Sequence, residues 1–115
     1  LMQIMPATGA EVARRTGISE FRRDQLVVPE VNMVLGTRYL RELLERRSGA
    51  LVPALISYNA GPHRFVSWRR FPEFSASTEL MIDRIPFSET RRYVKAILSY
   101  RYIYRHLYEN GSETG

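Results

Sequence analysis

The sequence predicts an all-α domain, on three observations. No stretch of the 115 residues alternates apolar and polar side chains with the two-residue period of a half-buried strand. Two long stretches, 30–47 and 88–108, instead repeat apolar residues every three or four positions. Most glycines and prolines then fall where such stretches would end or begin: Gly17, Pro29, Gly49, Gly61-Pro62, Pro86 and Gly111. With 44% apolar residues the chain supports one modest core. One domain is expected over 1–111, followed by a polar tail, 112–115.

Taken in order, Leu1 to Pro6 reads as an apolar loop with Gln3 its one polar side chain. Thr8 and Glu11 have capping-box spacing, predicting a short helix over 9–15. Residues 18–28 are irregular, and Pro29 opens the next helix. Over 30–47, Val31, Leu35, Leu40, Leu43 and Leu44 make an apolar stripe. Glu30 at its start and Arg46 and Arg47 at its end suit the helix dipole. Gly36 within it costs about 1 kcal/mol against alanine, which marks a close approach.

Gly49 is expected to close that helix. Residues 51–59 form a nearly all-apolar helix, with Pro53 in the first turn, where its missing N–H does no harm. Gly61 and Pro62 end it and start a helix over 63–70. A loop is expected over 71–77 and one or two helical turns over 77–83. Ser88 is read as the cap of a last helix running to Tyr108, with Tyr93, Ile97, Tyr100, Tyr104 and Leu107 along one side and Gly111 past its end.

Composition narrows the chemistry. There is no cysteine, so disulfides, thiolate metal sites and thiol nucleophiles are excluded. No apolar run approaches the roughly 18 residues of a membrane-spanning helix. The net charge of +5 suits an anionic partner, whether nucleic acid, lipid or wall polymer, or simply a basic helix surface. Its arginines are scattered as pairs, whereas a nucleic-acid groove wants them on one face. Phosphate loops, dinucleotide turns and metal-ligand pairs at helical spacing do not occur. His63 and His106 stand alone. No signal peptide is visible, and the start at Leu1-Met2-Gln3 reads as that of a fragment.

The polar candidates are Gln3, Tyr58, Asn59, Asp83 and Glu89. Each has a bland reading: a loop bond for Gln3, a satisfied core phenol for Tyr58, a helix cap for Asn59, an arginine pair for Asp83, a dipole contact for Glu89. Residue by residue the bland readings are favoured, and composition and spacing reach no further than a small basic helical domain.

Together, the segments resemble one family. Leu1-Met2-Gln3-Ile4-Met5-Pro6-Ala7-Thr8, then Val31-Asn32, Leu35-Gly36 and Tyr39-Leu40, then Ser57-Tyr58-Asn59-Ala60-Gly61-Pro62, and finally Asp83-Arg84-Ile85-Pro86-Phe87-Ser88-Glu89-Thr90-Arg91 with Tyr93-Val94 match, in order, motifs of the soluble lytic transglycosylase catalytic domain, a relative of goose-type lysozyme. Ser57 replaces the usual alanine and Asp83 the usual glutamate, one methylene shorter. The family's general acid is a glutamate upstream of the Met-Gln stretch, ahead of Leu1.

The resemblance implies a lysozyme-like helical fold and non-hydrolytic cleavage of the β-1,4 bond between N-acetylmuramic acid and N-acetylglucosamine in peptidoglycan, leaving 1,6-anhydro ends. It implies Tyr58 as a supporting catalytic residue, Met2, Gln3, Met5, Tyr58, Asn59 and Asp83 as substrate-binding residues, and no metal or cofactor. Glu89 and Arg91 are expected to be structural, as an ion pair. The implied partners are peptidoglycan strands and possible wall-assembly proteins, not nucleic acid, in the periplasm or cell envelope. A non-catalytic wall-binding module with the same fold is the alternative. Without the acid-bearing helix, the apolar face over 51–56 is expected to be exposed.

Overall fold

The computed structural model describes residues 11, 12, 14 and 29–113, and side chains over 30–108 of the last range. The chain divides into two compact units, Leu1–Ala50 and Leu51–Gly115. Every regular element among the described residues is a helix, as the periodicity predicts.

In the first unit, residues 11, 12 and 14 are helical. The Arg14 guanidinium donates to both Glu11 oxygens at 2.6 and 2.8 Å. The Thr8 half of the expected capping box lies outside the described residues. Helix α1, Pro29–Arg46, carries Glu30 in its first turn and Arg46 in its last, the arrangement its dipole favours. Leu35, Tyr39 and Leu43 are its buried rungs, one every four residues, and Gly36 is buried beside them.

The end of α1 refines the expectation placed on Gly49. Gly49 N–H donates to the Leu44 carbonyl at 2.8 Å and Ser48 N–H to that of Glu45 at 3.3 Å, the paired bonds of a Schellman ending. Ser48 therefore takes the left-handed position itself, at φ 55°, and Gly49 follows at φ 81°. Serine there is strained relative to glycine, but the two bonds hold it.

In the second unit α2, Leu51–Ala60, buries Val52, Ala54, Leu55, Ile56 and Ser57 in near-continuous sequence. A helix apolar all round is covered all round. This corrects the expectation that 51–56 would present an exposed apolar face. Gly61 N–H donates to the Ser57 carbonyl at 2.9 Å, and the Gly61 carbonyl accepts from Phe65 N–H at 3.2 Å. Gly61 thus closes α2 and opens α3, Pro62–Trp68, in one residue at φ 104°. A β-carbon added there would meet the His63 ring at 3.2 Å. The helix stops at Trp68, and 69–70 turn.

The expected loop over 71–77 contains a helical turn, α4, Pro72–Ser75, started by Pro72 after an extended Phe71. Ser77 then caps α5, Thr78–Asp83, accepting from Leu80 N–H at 3.1 Å. The aromatic side chains of this region interlock edge to face. Trp68 packs on Phe74 at 6.3 Å and on Phe87 at 5.2 Å, and Phe65 on Phe74 at 6.1 Å. Arg64 lies over the Phe87 ring, 4.6 Å from its centre.

Helix α6, Ser88–Glu113, packs on α2 and α5. Its ends differ from the expectation at three points. Ser88 is the first helical residue, so the capping position passes to Phe87, whose carbonyl accepts from Arg91 N–H at 3.0 Å. The helix also continues through Gly111, because one glycine weakens a long helix by only about 1 kcal/mol. Glu89 and Arg91 form no ion pair among the described residues, since side chains two apart on a helix point away from each other.

Candidate functional site

The site is built where α2 ends against the first turns of α6. Tyr58 is half-buried and its hydroxyl oxygen is shielded from solvent. Its ring lies parallel to that of Tyr93, 7° apart in plane with centres 6.4 Å apart. The next residue, Asn59, is exposed, and its Oδ1 accepts from the buried Thr90 hydroxyl at 2.7 Å. Thr90 and Tyr93, three apart, share one side of α6 and hold two successive residues of α2. The Tyr58–Asn59 corner is therefore clasped by a ring pair and a hydrogen bond. Burial pushes the Tyr93 phenol above its ordinary value of 10.0, so it stays neutral at physiological pH.

Asp83 stands apart from this clasp. It is the exposed last residue of α5, and among the described residues it is not hydrogen-bonded to Tyr58 or Asn59. Its neighbour Arg84 pairs instead with Glu73 at 3.5 Å. Met2, Gln3 and Met5 lie outside the described residues. Among the described residues no cluster of histidine, aspartate and glutamate could hold a metal ion.

Two contributors went unassigned in sequence. In sequence Thr90 reads as part of a motif, and Tyr93 as part of both that motif and an apolar stripe. The readable signal was their three-residue spacing at the start of a helix. Ser57 also acquires a meaning: its side chain is fully buried and its hydroxyl finds no hydrogen-bond partner. The alanine usual in the resembling motif would leave no such group.

The geometry defines a helical domain whose Tyr58–Asn59 corner is fixed by α6, and comparison with known proteins gives its class. Residues 1–81 match the family described as Transglycosylase SLT domain, and residues 84–113 match the Soluble lytic transglycosylase helical domain. The chain belongs to the transglycosylase SLT domain family. It is 38% identical over 107 residues to a soluble lytic murein transglycosylase of Salmonella typhimurium, covering 92% of this chain and 17% of that protein. The Escherichia coli K12 protein of the same description is 36% identical over the same shares. Among solved structures, an inactive glutamate-to-glutamine mutant of the lytic transglycosylase Slt from Pseudomonas aeruginosa aligns with a TM-score of 0.76 and 38% identity, over 94% of this chain and 17% of that one. The chain thus spans about a sixth of the length of the curated relatives it matches.

Proposed function

We propose that this chain is the C-terminal part of a peptidoglycan-cleaving catalytic domain, spanning residues 1–111, which breaks the bond between N-acetylmuramic acid and N-acetylglucosamine without water. The clasped Tyr58–Asn59 corner, in a chain of this family, carries the reading. A general acid, a glutamate ahead of Leu1 in the family pattern, protonates the leaving oxygen. The substrate's acetamido oxygen attacks the anomeric carbon, replacing a second carboxylate. The same residue, now a base, takes the proton of the C6 hydroxyl, and that oxygen closes the anhydro ring. That a glutamate-to-glutamine mutant of the Pseudomonas relative is inactive supports an essential glutamate in this mechanism.

On this reading the shielded Tyr58 phenol orders the side chains around the acid, and Asn59 faces the sugar. Met2, Gln3, Met5 and Asp83 keep the sugar-contacting roles that the resemblance gives them. The positive charge of the chain suits an anionic, peptide-bearing polymer, and the envelope is the compartment where such a polymer is found.

The test is digestion of purified murein by the intact enzyme with analysis of the new ends. Anhydro-muramyl ends support the proposal, reducing ends would indicate hydrolysis, and binding without cleavage would favour a non-catalytic wall-binding module. Tyr58→Phe is expected to cut turnover by at least tenfold (about 1.4 kcal/mol of barrier) with unchanged thermal unfolding. Near-normal turnover would reduce Tyr58 to a core residue.

A further inference from the structure

Thr90 is fully buried, yet its hydroxyl proton is directed across to another helix. Within a helix a hydroxyl has a local acceptor in the carbonyl four residues back, and Ser99 uses that of Lys95 at 2.9 Å. Thr90 is the third residue of α6, and the carbonyl four back is that of Pro86, ahead of the helix. Its hydroxyl donates to Asn59 Oδ1, 31 residues away in sequence. This bond has a chemical consequence for the corner. An unrestrained asparagine amide presents its acceptor and its donors with equal ease. With Oδ1 engaged by Thr90, the exposed Asn59 offers its two Nδ2 protons instead. One turn along α6, the Tyr93 ring lies parallel to that of Tyr58, so the backbone carrying Asn59 is held from the same side.

We propose that Thr90 is a positioning residue that locks the Asn59 amide with its N–H groups outward, making the corner selective for ligand groups that accept hydrogen bonds, such as the carbonyl of an N-acetylated sugar. This rests on the reading of the corner as a glycan site. Thr90 touches no ligand and acts through Asn59. The selection is of orientation: the two Nδ2 donors are presented outward, while Oδ1 is turned toward Thr90 with one of its two lone pairs already used, so a ligand that accepts hydrogen bonds is favoured over one that only donates.

The experiment compares Thr90→Val, which keeps the shape and removes the hydroxyl, with Thr90→Ser, which keeps the hydroxyl, in the intact enzyme. Affinity for a purified murein oligosaccharide is measured by calorimetry, kcat and KM by murein digestion, and stability by thermal unfolding. Thr90→Val is expected to weaken binding about fivefold, the scale of one net hydrogen bond, and to raise KM more than it lowers kcat. Thr90→Ser should recover most of the affinity. Asn59→Asp keeps the acceptor for Thr90 and loses the donors, so adding Thr90→Val to it should weaken binding little further. The inference is overturned if Thr90→Val lowers the melting temperature but leaves affinity and KM unchanged, or if the two substitutions weaken binding additively. A wild type that binds the oligosaccharide without cleaving it would sink the catalytic reading and leave the Thr90 comparison intact. A wild type that binds none would sink both.

Discussion

At the scale of single residues, two side chains show how burial turns composition into energy. The Ser57 hydroxyl is enclosed without a partner, and such a group costs about 1–3 kcal/mol in lost hydration. Ser57→Ala is therefore expected to raise unfolding free energy by about 1 kcal/mol, read from urea denaturation. A fall in stability would show that the hydroxyl has a bonded partner after all. Tyr93 is governed by the same desolvation, acting on a titratable group. Burial raises its folded pKa above 10.0, so between the unfolded and folded values only the unfolded chain gives up the proton. The contribution is complete below about pH 10 and is lost as pH rises through the folded value. Tyr93→Phe should flatten the alkaline loss of stability between those values, and an unaltered slope would assign that loss to other groups.

At the scale of elements, α6 does two different things along its length. Its first turns are held to α2 through Thr90 and Tyr93, and Val94 is fully buried. Further along, Tyr100, Tyr104 and Leu107 of the apolar stripe seen in the sequence, and Ile103 and Tyr108 beside them, are all more than half exposed. The ring pairs there, Tyr104 with Tyr108 and Tyr102 with His106, lie within the helix itself. Exposed positions away from caps and networks change stability by less than about 0.5 kcal/mol on substitution. Leu107→Ser should fall within that limit in thermal unfolding, whereas a larger loss would mean that something covers the stripe in solution.

At the scale of the whole molecule, charge is the dominant long-range property. Seventeen arginine and lysine charges against twelve acidic ones leave a net +5, which favours approach to an anionic polymer such as the proposed substrate. Raising salt from about 0.1 to about 1 M shortens the screening length from about 10 to about 3 Å. Co-sedimentation with murein should fall over that range. Retention unchanged by salt would place recognition in short-range contacts alone.

The sequence by itself determined the helical class, the glycine hinge at Gly61 and the family, because period, backbone freedom and motif order are all local properties of the chain. It also marked Tyr58 and Asn59 as special, since two polar residues before a forced turn stand out. It could not say which way α6 begins or ends, because a single serine or glycine shifts a helix boundary by less energy than the packing around it. Above all, the partners of Tyr58 and Asn59 lie some thirty residues further along, and no local pattern names them. Only the packing of α6 on α2 put Thr90 against Asn59 and Tyr93 against Tyr58. That packing made a capped turn into a corner with a fixed amide and a fixed ring.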